Sequence, residues 1–382
     1  MKKARIDRQQ DFALFVCRPL IYIWMWADAK RKVNRDPSVS FRRKEPYVML
    51  ANHTYLFDVV HVPMRFRITP FIIASQTLLT NKRTRFLVTQ MAHVIPKSKG
   101  KSDISTIIKI FNVIKKGYPI LIFPEGDTTF FGETGHIEEA TMKLVKKLGV
   151  DVITCNVKGG YLSRPRWSTG KRKNHHIELN YNLTIPKEKL KELSPSEIGE
   201  IVNKTLYHND YEYQRNMMIP HPGKHLAEGM ENVVYVCPHC LGINTITTEG
   251  NRVICQSCHT EGFVDEYGFI HGFKYDNLIE WDKFQKQYDE KLRETVFTSP
   301  AELYFLHPET EERIPVGKVT LTYNDHLLHL AGEYQEDIAV DDISNVVITL
   351  RREFQFSYND KHYLIVVDKH IMAFLRACQS KY

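Results

Sequence analysis

Residues 47–58 read Tyr-Val-Met-Leu-Ala-Asn-His-Thr-Tyr-Leu-Phe-Asp, and this stretch decides the fold expected for the first half of the chain. Its first five residues form a short apolar run, which is typical of a buried strand. Polar side chains begin at Asn52-His53, where the run ends. Strands and helices are predicted to alternate after it, over 104–114 (helix), 119–123 (strand), 138–148 (helix) and 150–157 (strand). The sequence therefore predicts an α/β domain whose chemistry lies in loops at strand ends.

His53 and Asp58 stand five residues apart at the end of the first predicted strand. Side chains five residues apart on a helix point about 140° away from each other. The two can meet only if His53 precedes a helix and Asp58 lies in its first turns. The carboxylate would then hold one imidazole nitrogen, and the other could take a proton from an attacking hydroxyl. By itself, such a pair is equally compatible with a structural role.

A second polar loop follows the strand predicted over 119–123. It reads Phe123-Pro124-Glu125-Gly126-Asp127-Thr128-Thr129. The loop brings a carboxylate, a glycine that permits close backbone approach and several hydroxyl groups to a strand end. Taken alone, it is also compatible with an ordinary turn.

The two loops together, His-x4-Asp after one strand and Phe-Pro-Glu-Gly after another, resemble the glycerolipid acyltransferase superfamily. The 1-acylglycerol-3-phosphate acyltransferases are its familiar members, and the resemblance covers roughly residues 40–215. It implies that His53 is the general base, that Asp58 is its partner, and that Glu125 and Gly126 help to bind the acyl acceptor. The implied reaction moves a fatty acyl group from acyl-coenzyme A or acyl carrier protein to a hydroxyl of a glycerolipid or lysophospholipid.

The chain departs from the family's pattern beside the second loop. Many members continue Glu-Gly with Thr-Arg-Ser, and the arginine is taken to meet the acceptor's phosphate. Here the positions are Asp127-Thr128-Thr129, so that arginine is missing. We expect Thr128 and a lysine cluster, Lys97 with Lys99 and Lys101, to bind substrate instead. The lysines are equally compatible with a solvated loop.

A further cationic stretch spans residues 158–173. It contains no acid and six basic residues, which are Lys158, Arg164, Arg166, Lys171, Arg172 and Lys173. Tyr161 and Trp167 lie among them. Basic residues interleaved with aromatic ones predict contact with lipid headgroups or an acidic acyl carrier, to which Arg164 would contribute. A solvated loop is the alternative.

The basic charge of the chain is concentrated in residues 1–44. This segment holds twelve Lys or Arg against four Asp, a net charge of +8, whereas the whole chain carries +7. Residues 12–27 are apolar and aromatic, but they are too few to span a bilayer. We therefore predict a membrane-interface segment attracted to anionic lipid, with packing on its own domain as the alternative. No cleavable signal pattern is visible, so we expect a cytoplasmic protein bound peripherally at the inner face of the membrane.

Four of the seven cysteines form two CxxC pairs, Cys237 with Cys240 and Cys255 with Cys258. This spacing predicts a structural Zn²⁺ site, since four thiolates leave no open position for catalysis. Residues 229–272 contain Arg252 as their only Lys or Arg. Nucleic acid is therefore not an expected partner, and a nucleic-acid-binding zinc ribbon is the weaker alternative.

Short strands dominate the remaining sequence. A helix is predicted over 277–293, six short strands between 303 and 367, and a final helix over 369–378. This order resembles a pleckstrin-homology-like barrel with a C-terminal helix.

The sequence thus predicts four parts. They are a membrane-interface segment (1–44), an acyltransferase domain (45–222) with its last helix over 196–215, a zinc ribbon (230–272) and a pleckstrin-homology-like domain (276–382). A catalytically inactive lipid-binding or tethering protein is the main alternative function.

Overall fold

The computed structural model describes residues 5–75, 93–97, 104–308 and 310–379. Lys99 and Lys101 lie outside these ranges. By its internal contacts the chain divides into two compact units. The first contains the described residues up to Arg164 together with 174–219, and the second contains 165–173 and the chain from Pro220 onward.

The first unit is built on a seven-stranded sheet with the order β1-β7-β6-β2-β5-β3-β4. Its neighbouring strands are parallel except for the pair β6 and β7. The strands are β1 (Lys30–Arg35), β2 (Tyr47–Ala51), β3 (Phe71–Ser75), β4 (Val94–Lys97), β5 (Ile120–Ile122), β6 (Asp151–Lys158) and β7 (His176–Ile185). The alternation of strands and helices predicted over 47–157 is confirmed.

Eight α-helices of the described residues belong to this unit. They are α1 (Arg5–Asp28), α2 (Asp58–His61), α3 (Ile104–Lys115), α4 (Glu139–Leu148), α5 (Gly160–Ser163), α6 (Lys187–Glu192), α7 (Pro195–Leu206) and α8 (Asp210–Met217). Both faces of the sheet are covered. Val48 and Leu50 belong to one apolar cluster, whereas Tyr47 and Met49 belong to another, and alternate residues of a strand point to opposite faces.

The basic residues 30–35, which the sequence assigned to the membrane-interface segment, form the edge strand β1. It pairs in parallel with β7, and Lys32 Nζ lies 3.3 Å from Glu178 Oε2. Lysines are common on edge strands because they discourage pairing with another chain. Part of the N-terminal positive charge therefore lies on the sheet of the first unit.

Helix α1 packs on the domain through buried Leu14 and Met25 and is also held there by hydrogen bonds. Its polar side chains hold it to the domain: Arg18 donates to Phe66 O and Thr69 Oγ1, and the Tyr22 hydroxyl donates to Met64 O. Its outer side is apolar and exposed, through Phe12, Phe15, Val16, Leu20, Ile23 and Trp26. Among the residues that the structure describes, no helix combines the length and the apolar character needed to cross a membrane.

The chain over 158–173 differs from the exposed basic loop predicted there. Gly160–Ser163 form helix α5, and Tyr161, Trp167 and Arg172 are buried. The prediction that these two aromatic side chains contact lipid or carrier is therefore wrong. Arg172 Nη2 donates to Leu226 O at 2.9 Å, so its charge serves the packing of the second unit.

The helix predicted over 196–215 is two helices, α7 and α8. The chain is extended at Tyr207 and Asn209, and the Asn209 side chain accepts hydrogen bonds from the N–H groups of Tyr211 and Glu212. An asparagine in this position caps a new helix, which explains the break.

The second unit begins with a four-stranded antiparallel sheet, ordered β11-β10-β9-β8. Its strands are β8 (Ile246–Glu249), β9 (Arg252–Cys255), β10 (Glu261–Val264) and β11 (Ile270–His271). The helix predicted over 277–293 is broken by a short 3₁₀ turn into α9 (Leu278–Gln285) and α10 (Asp289–Arg293).

The rest of the unit is a seven-stranded antiparallel sheet, ordered β15-β14-β13-β12-β18-β17-β16. Its strands are β12 (Phe297–Leu306), β13 (Arg313–Asn324), β14 (Leu327–Gly332), β15 (Glu336–Ala339), β16 (Ser344–Thr349), β17 (Glu353–Tyr358) and β18 (Lys361–Val367). The final helix α11 (Ile371–Cys378) buries most of its side chains. β15 was not predicted, since Ile338 is its single fully buried residue.

Candidate active site

His53 and Asp58 meet at the carboxyl end of β2, in the turn of residues 52–58. His53 lies before α2 and Asp58 is the first residue of that helix, which is the arrangement the spacing requires. The distance from His53 Nδ1 to Asp58 Oδ2 is 3.2 Å. The Asp58 side chain is fully buried, whereas that of His53 keeps 12% of its surface exposed. We call residues 52–58 the His–Asp turn.

Asp58 is held by the backbone of its own turn. Its Oδ2 accepts hydrogen bonds from the N–H of Thr54 at 2.6 Å and from the N–H of Tyr55 at 3.0 Å. The Thr54 hydroxyl adds a third donor at 3.1 Å. Within the described residues, Oδ1 has no hydrogen-bond partner. The orientation of the Asp58 carboxylate therefore depends on where the turn places the N–H groups of Thr54 and Tyr55 and the Thr54 hydroxyl.

The imidazole of His53 is fixed from two sides. Asp58 holds Nδ1, and the ring stacks on Phe123 with 4.2 Å between the centroids. The preceding residue is also locked, since the Asn52 side chain donates to Val157 O at 2.8 Å and accepts from Val157 N–H at 2.7 Å. Nδ1 is engaged in this arrangement, and Nε2 is the ring nitrogen that Asp58 does not hold.

Glu125 connects the Phe-Pro-Glu-Gly loop to the His–Asp turn. Its Oε1 accepts from the N–H of His53 at 2.8 Å, and its Oε2 accepts from the N–H of Gly135 at 2.6 Å. Thr129 N–H donates to His53 O at 3.0 Å, so the two loops are joined twice. Burial raises the pKa of the Glu125 carboxyl, against the opposing effect of these backbone donors.

Gly126 follows in a left-handed conformation, with φ of 77°, and its N–H donates to Phe123 O. A side chain would be strained there, which explains the glycine of the loop. Thr128 is half-buried in the same loop, and its N–H donates to Asp127 Oδ1 at 2.9 Å. Both residues lie in the loop that Glu125 and Thr129 join to the His–Asp turn, and their part in substrate binding stays a prediction.

Among the described residues, neither Lys97 nor Arg164 forms a hydrogen bond or an ion pair with His53. Lys97 ends β4, which the strand order separates from β2 by β5 and β3, so its backbone is about 14 Å from β2. Arg164 Nη1 lies 2.6 Å from Asp28 Oδ1, and its guanidinium lies over the rings of Tyr55 and Phe57.

The sequence reasoning missed Asp28 and His61. His61 Nε2 lies 3.0 Å from Asp28 Oδ2, and the Tyr55 hydroxyl lies 3.3 Å from the same oxygen. Burial raises the pKa of Asp28, but the hydrogen bonds from His61 and Arg164 outweigh it and hold that pKa below its usual range. The spacing of Asp58 and His61 on one helical face was the available signal.

The four cysteines of the CxxC pairs come together in the second unit. Their sulfur atoms all lie within 4.8 Å of one another, with Cys237 Sγ 3.9 Å from Cys258 Sγ and Cys240 Sγ 3.7 Å from Cys255 Sγ. Four thiolates around a tetrahedral Zn²⁺ would stand about 3.8 Å apart, given Zn–S bonds of about 2.3 Å. The cluster can therefore hold a metal ion and fits zinc.

The two cysteine turns have the same backbone geometry. Leu241 N–H donates to Cys237 O, and His259 N–H donates to Cys255 O. Leu241 and His259 are both left-handed, with φ of 59° and 58°. Both CxxC turns therefore follow the same backbone path, and their four sulfur atoms lie within 4.8 Å of one another.

Residues 32–158 match the family model described as Acyltransferase, and the His–Asp turn and Glu125 both fall within the matched range. The first unit therefore carries an acyltransferase domain. Among solved structures, the chain is similar to the 1-acyl-sn-glycerophosphate (LPA) acyltransferase PlsC from Thermotoga maritima, at 16% identity and a TM-score of 0.43, over 54% of this chain and 81% of that one. No curated protein matches the chain.

Proposed function

We propose that this protein transfers a fatty acyl group from an acyl thioester to a hydroxyl of a glycerolipid or lysophospholipid at a membrane surface. The observation that carries the proposal is the hydrogen bond between His53 Nδ1 and a buried Asp58, inside an acyltransferase domain. A histidine held in this way has one nitrogen directed by the carboxylate and the other available as a base. Acyl-coenzyme A and acyl carrier protein are the candidate donors.

In the proposed reaction, His53 Nε2 takes the proton from the acceptor hydroxyl as its oxygen attacks the thioester carbonyl. The new carbon–oxygen bond gives a tetrahedral intermediate, whose oxyanion backbone N–H groups would stabilise. Cleavage of the carbon–sulfur bond releases the thiolate, which recovers the proton from the imidazolium. The acyl group passes directly to the acceptor, so no covalent acyl-enzyme is formed. Asp58 stabilises the imidazolium during the transfer.

The exposed apolar residues of α1 support attachment to a membrane surface. Phe15 and Trp26 are 76% and 78% exposed, although both are large and apolar. An apolar face of this kind enters the headgroup boundary of a bilayer, and the neighbouring basic residues favour anionic lipid. We place the protein peripherally at the cytoplasmic face of the membrane.

We also propose that Cys237, Cys240, Cys255 and Cys258 bind one structural Zn²⁺ in a zinc ribbon. The sulfur distances and the repeated turn geometry support the assignment. The metal would stabilise the fold of β8–β11 and take no part in acyl transfer. The seven-stranded sheet with helix α11 supports a pleckstrin-homology-like module.

The test measures transfer of radiolabelled acyl groups from acyl-coenzyme A and from acyl carrier protein to a panel of lysophospholipids that includes lysophosphatidic acid. His53→Ala is expected to lose transfer by about 10²-fold or more. The matched control is His329→Ala in the second unit, which removes another His–Asp pair, with Nδ1 2.7 Å from Asp337 Oδ1. Lipid binding without transfer to any acceptor would instead favour a tethering protein.

A further inference from the structure

The last turn of α1 contacts the His–Asp turn through one buried carboxylate. Asp28 is the final residue of the helix, and its side chain keeps only 5% of its surface exposed. It accepts hydrogen bonds from Arg164 Nη1 at 2.6 Å, from His61 Nε2 at 3.0 Å and from the Tyr55 hydroxyl at 3.3 Å. Three donors, two from residues 55–61 and one from Arg164, therefore converge on one side chain outside the His–Asp turn.

Two of these donors lie on either side of Asp58. Tyr55 precedes it by three residues, and its N–H donates to Asp58 Oδ2 at 3.0 Å. His61 follows it by three residues on α2, and its N–H donates to Phe57 O at 3.0 Å. Asp28 thus holds the chain both before and after Asp58.

Aromatic contacts complete the same cluster. The Trp24 ring on α1 meets the Phe57 ring edge to face, with 5.0 Å between the centroids. The Arg164 guanidinium lies over the rings of Tyr55 and Phe57, at 5.8 Å and 5.5 Å from their centroids. Arg164 also supplies the positive charge beside Asp28, so the buried carboxylate is paired.

We propose that Asp28 is a positioning residue for acyl transfer, which holds the His–Asp turn against α1 so that Asp58 keeps its hydrogen bond to His53. The inference rests on the proposed function. Asp28 acts through Tyr55 and His61. Arg164, which was expected at the substrate, supports the Asp28 carboxylate instead. Because the direction of Asp58 depends on the N–H groups of its own turn, a shift of Tyr55 changes the hydrogen bond to His53.

The test compares Asp28→Asn with Asp11→Asn. Asp11 is the matched control because it is another carboxylate of α1 that anchors the helix, accepting from the Tyr118 hydroxyl at 2.7 Å, away from the His–Asp turn. We expect Asp28→Asn to lower kcat by about 10- to 100-fold, the effect of a displacement of about 1 Å near a reacting group. KM should change by about twofold or less, and the acid limb of the kcat–pH profile should shift, since His53 loses its orientation.

Asp11→Asn should keep the kcat and pH profile of the natural protein, even where its melting temperature falls as far. Tyr55→Phe, which removes one of the three donors and keeps the ring, should give an intermediate loss of kcat. If Asp28→Asn does not fold, the kcat of Tyr55→Phe tests the inference in its place. The inference would be overturned if Asp28→Asn or Tyr55→Phe had the kcat and the pH profile of the natural protein. Equal losses of kcat in Asp28→Asn and Asp11→Asn would overturn it as well.

A second readout needs no turnover. The ¹⁵N resonances of His53, assigned by comparison with His53→Gln, report which ring nitrogen carries the proton. We expect Asp28→Asn to reduce the population protonated at Nδ1, whereas Asp11→Asn should leave it unchanged. Unchanged resonances in Asp28→Asn would overturn the inference. If the natural protein transfers no acyl group, the proposed function is overturned. This outcome is seen before any variant is measured, so it is distinct from failure of the inference about Asp28.

Discussion

The backbone N–H of His53 donates a 2.8 Å hydrogen bond to the carboxylate of Glu125, which lies 72 residues further along the chain. The other oxygen of that carboxylate accepts from Gly135 N–H. Glu125 is therefore a bridge between the two loops of the candidate active site, and both of its oxygens are already engaged by backbone groups. In the proposed reaction, Glu125 would act through the position that it gives to His53.

The first prediction concerns this bridge. Glu125→Ala removes both acceptors, so we expect kcat to fall by about 10²-fold as His53 moves. Glu125→Gln keeps one carbonyl oxygen and should lose less. Steady-state kinetics at saturating acceptor check the order of the three proteins. Equal activity in Glu125→Ala and the natural protein would show that the bridge is dispensable.

Asp58→Asn tests the orientation of the imidazole. The new amide can place its NH₂ group against His53 Nδ1, which stabilises the tautomer with its proton on Nε2, where the ring cannot act as a base. We expect kcat to fall by about 10³- to 10⁴-fold. Kinetics with a matched unfolding curve check the result, and a kcat close to that of the natural protein would exclude a role for Asp58 in orienting the base.

The cysteine cluster predicts one bound zinc ion per chain. Cys240→Ser should abolish the bound metal and destabilise the second unit, because structural zinc contributes directly to folding. Elemental analysis of the purified protein measures the metal, and thermal unfolding with and without a chelator measures its effect. Cys17→Ser, on α1, is the control that should retain the metal. Full zinc content in Cys240→Ser would contradict the four-cysteine site.

The outer face of α1 predicts binding to anionic vesicles. Replacing Phe15, Leu20 and Trp26 together by serine removes apolar area without touching the inward hydrogen bonds of the helix. We expect co-flotation with phosphatidylserine-containing vesicles to be lost. The control changes two exposed apolar residues of the second unit, Ile314→Ser and Leu350→Ser. Equal flotation of both variants would place the membrane-binding surface elsewhere.

Stability in mild acid is expected to depend on His370. Burial, and next to it the charge of Lys369, lower the pKa of His370 to about 4, from an ordinary value of 6.5. The unfolded chain therefore takes up this proton first, so the contribution of His370 to the free energy of unfolding is intact above pH 6.5 and falls as the pH drops towards 4. His370 has a φ of 64°, which asparagine tolerates.

His370→Asn should flatten this part of the pH dependence, and urea unfolding at pH 7 and pH 4.5 measures it. The same loss of stability in both proteins between these values would assign the acid sensitivity to other groups.

The α/β order and the His–Asp arrangement could be predicted because each depends on local sequence. Tyr47–Ala51 is apolar throughout and is fully buried, and only one geometry lets His53 meet Asp58. The cysteine pairs are local in the same way, since each CxxC turn sets its own sulfur positions.

The remaining features depend on distant partners. Strand β1 is rich in lysine and arginine and has Val33 as its one apolar residue, so no apolar pattern predicts a strand there. Asp28 and Arg164 are 136 residues apart, and their pairing exists only in the folded chain. Trp167 was expected at the surface because of its basic neighbours, but burial depends on what covers a side chain, and sequence neighbours do not show that.

The outward apolar face of α1 also affects how the size of the protein in solution is interpreted. In water without lipid or detergent, two copies can shield this face by laying their α1 helices against each other. Self-association of that kind would result from the absence of a bilayer and would not show that the protein is a native dimer. Molecular mass should therefore be compared with and without detergent micelles, and only an assembly that survives in the micelles belongs to the protein itself.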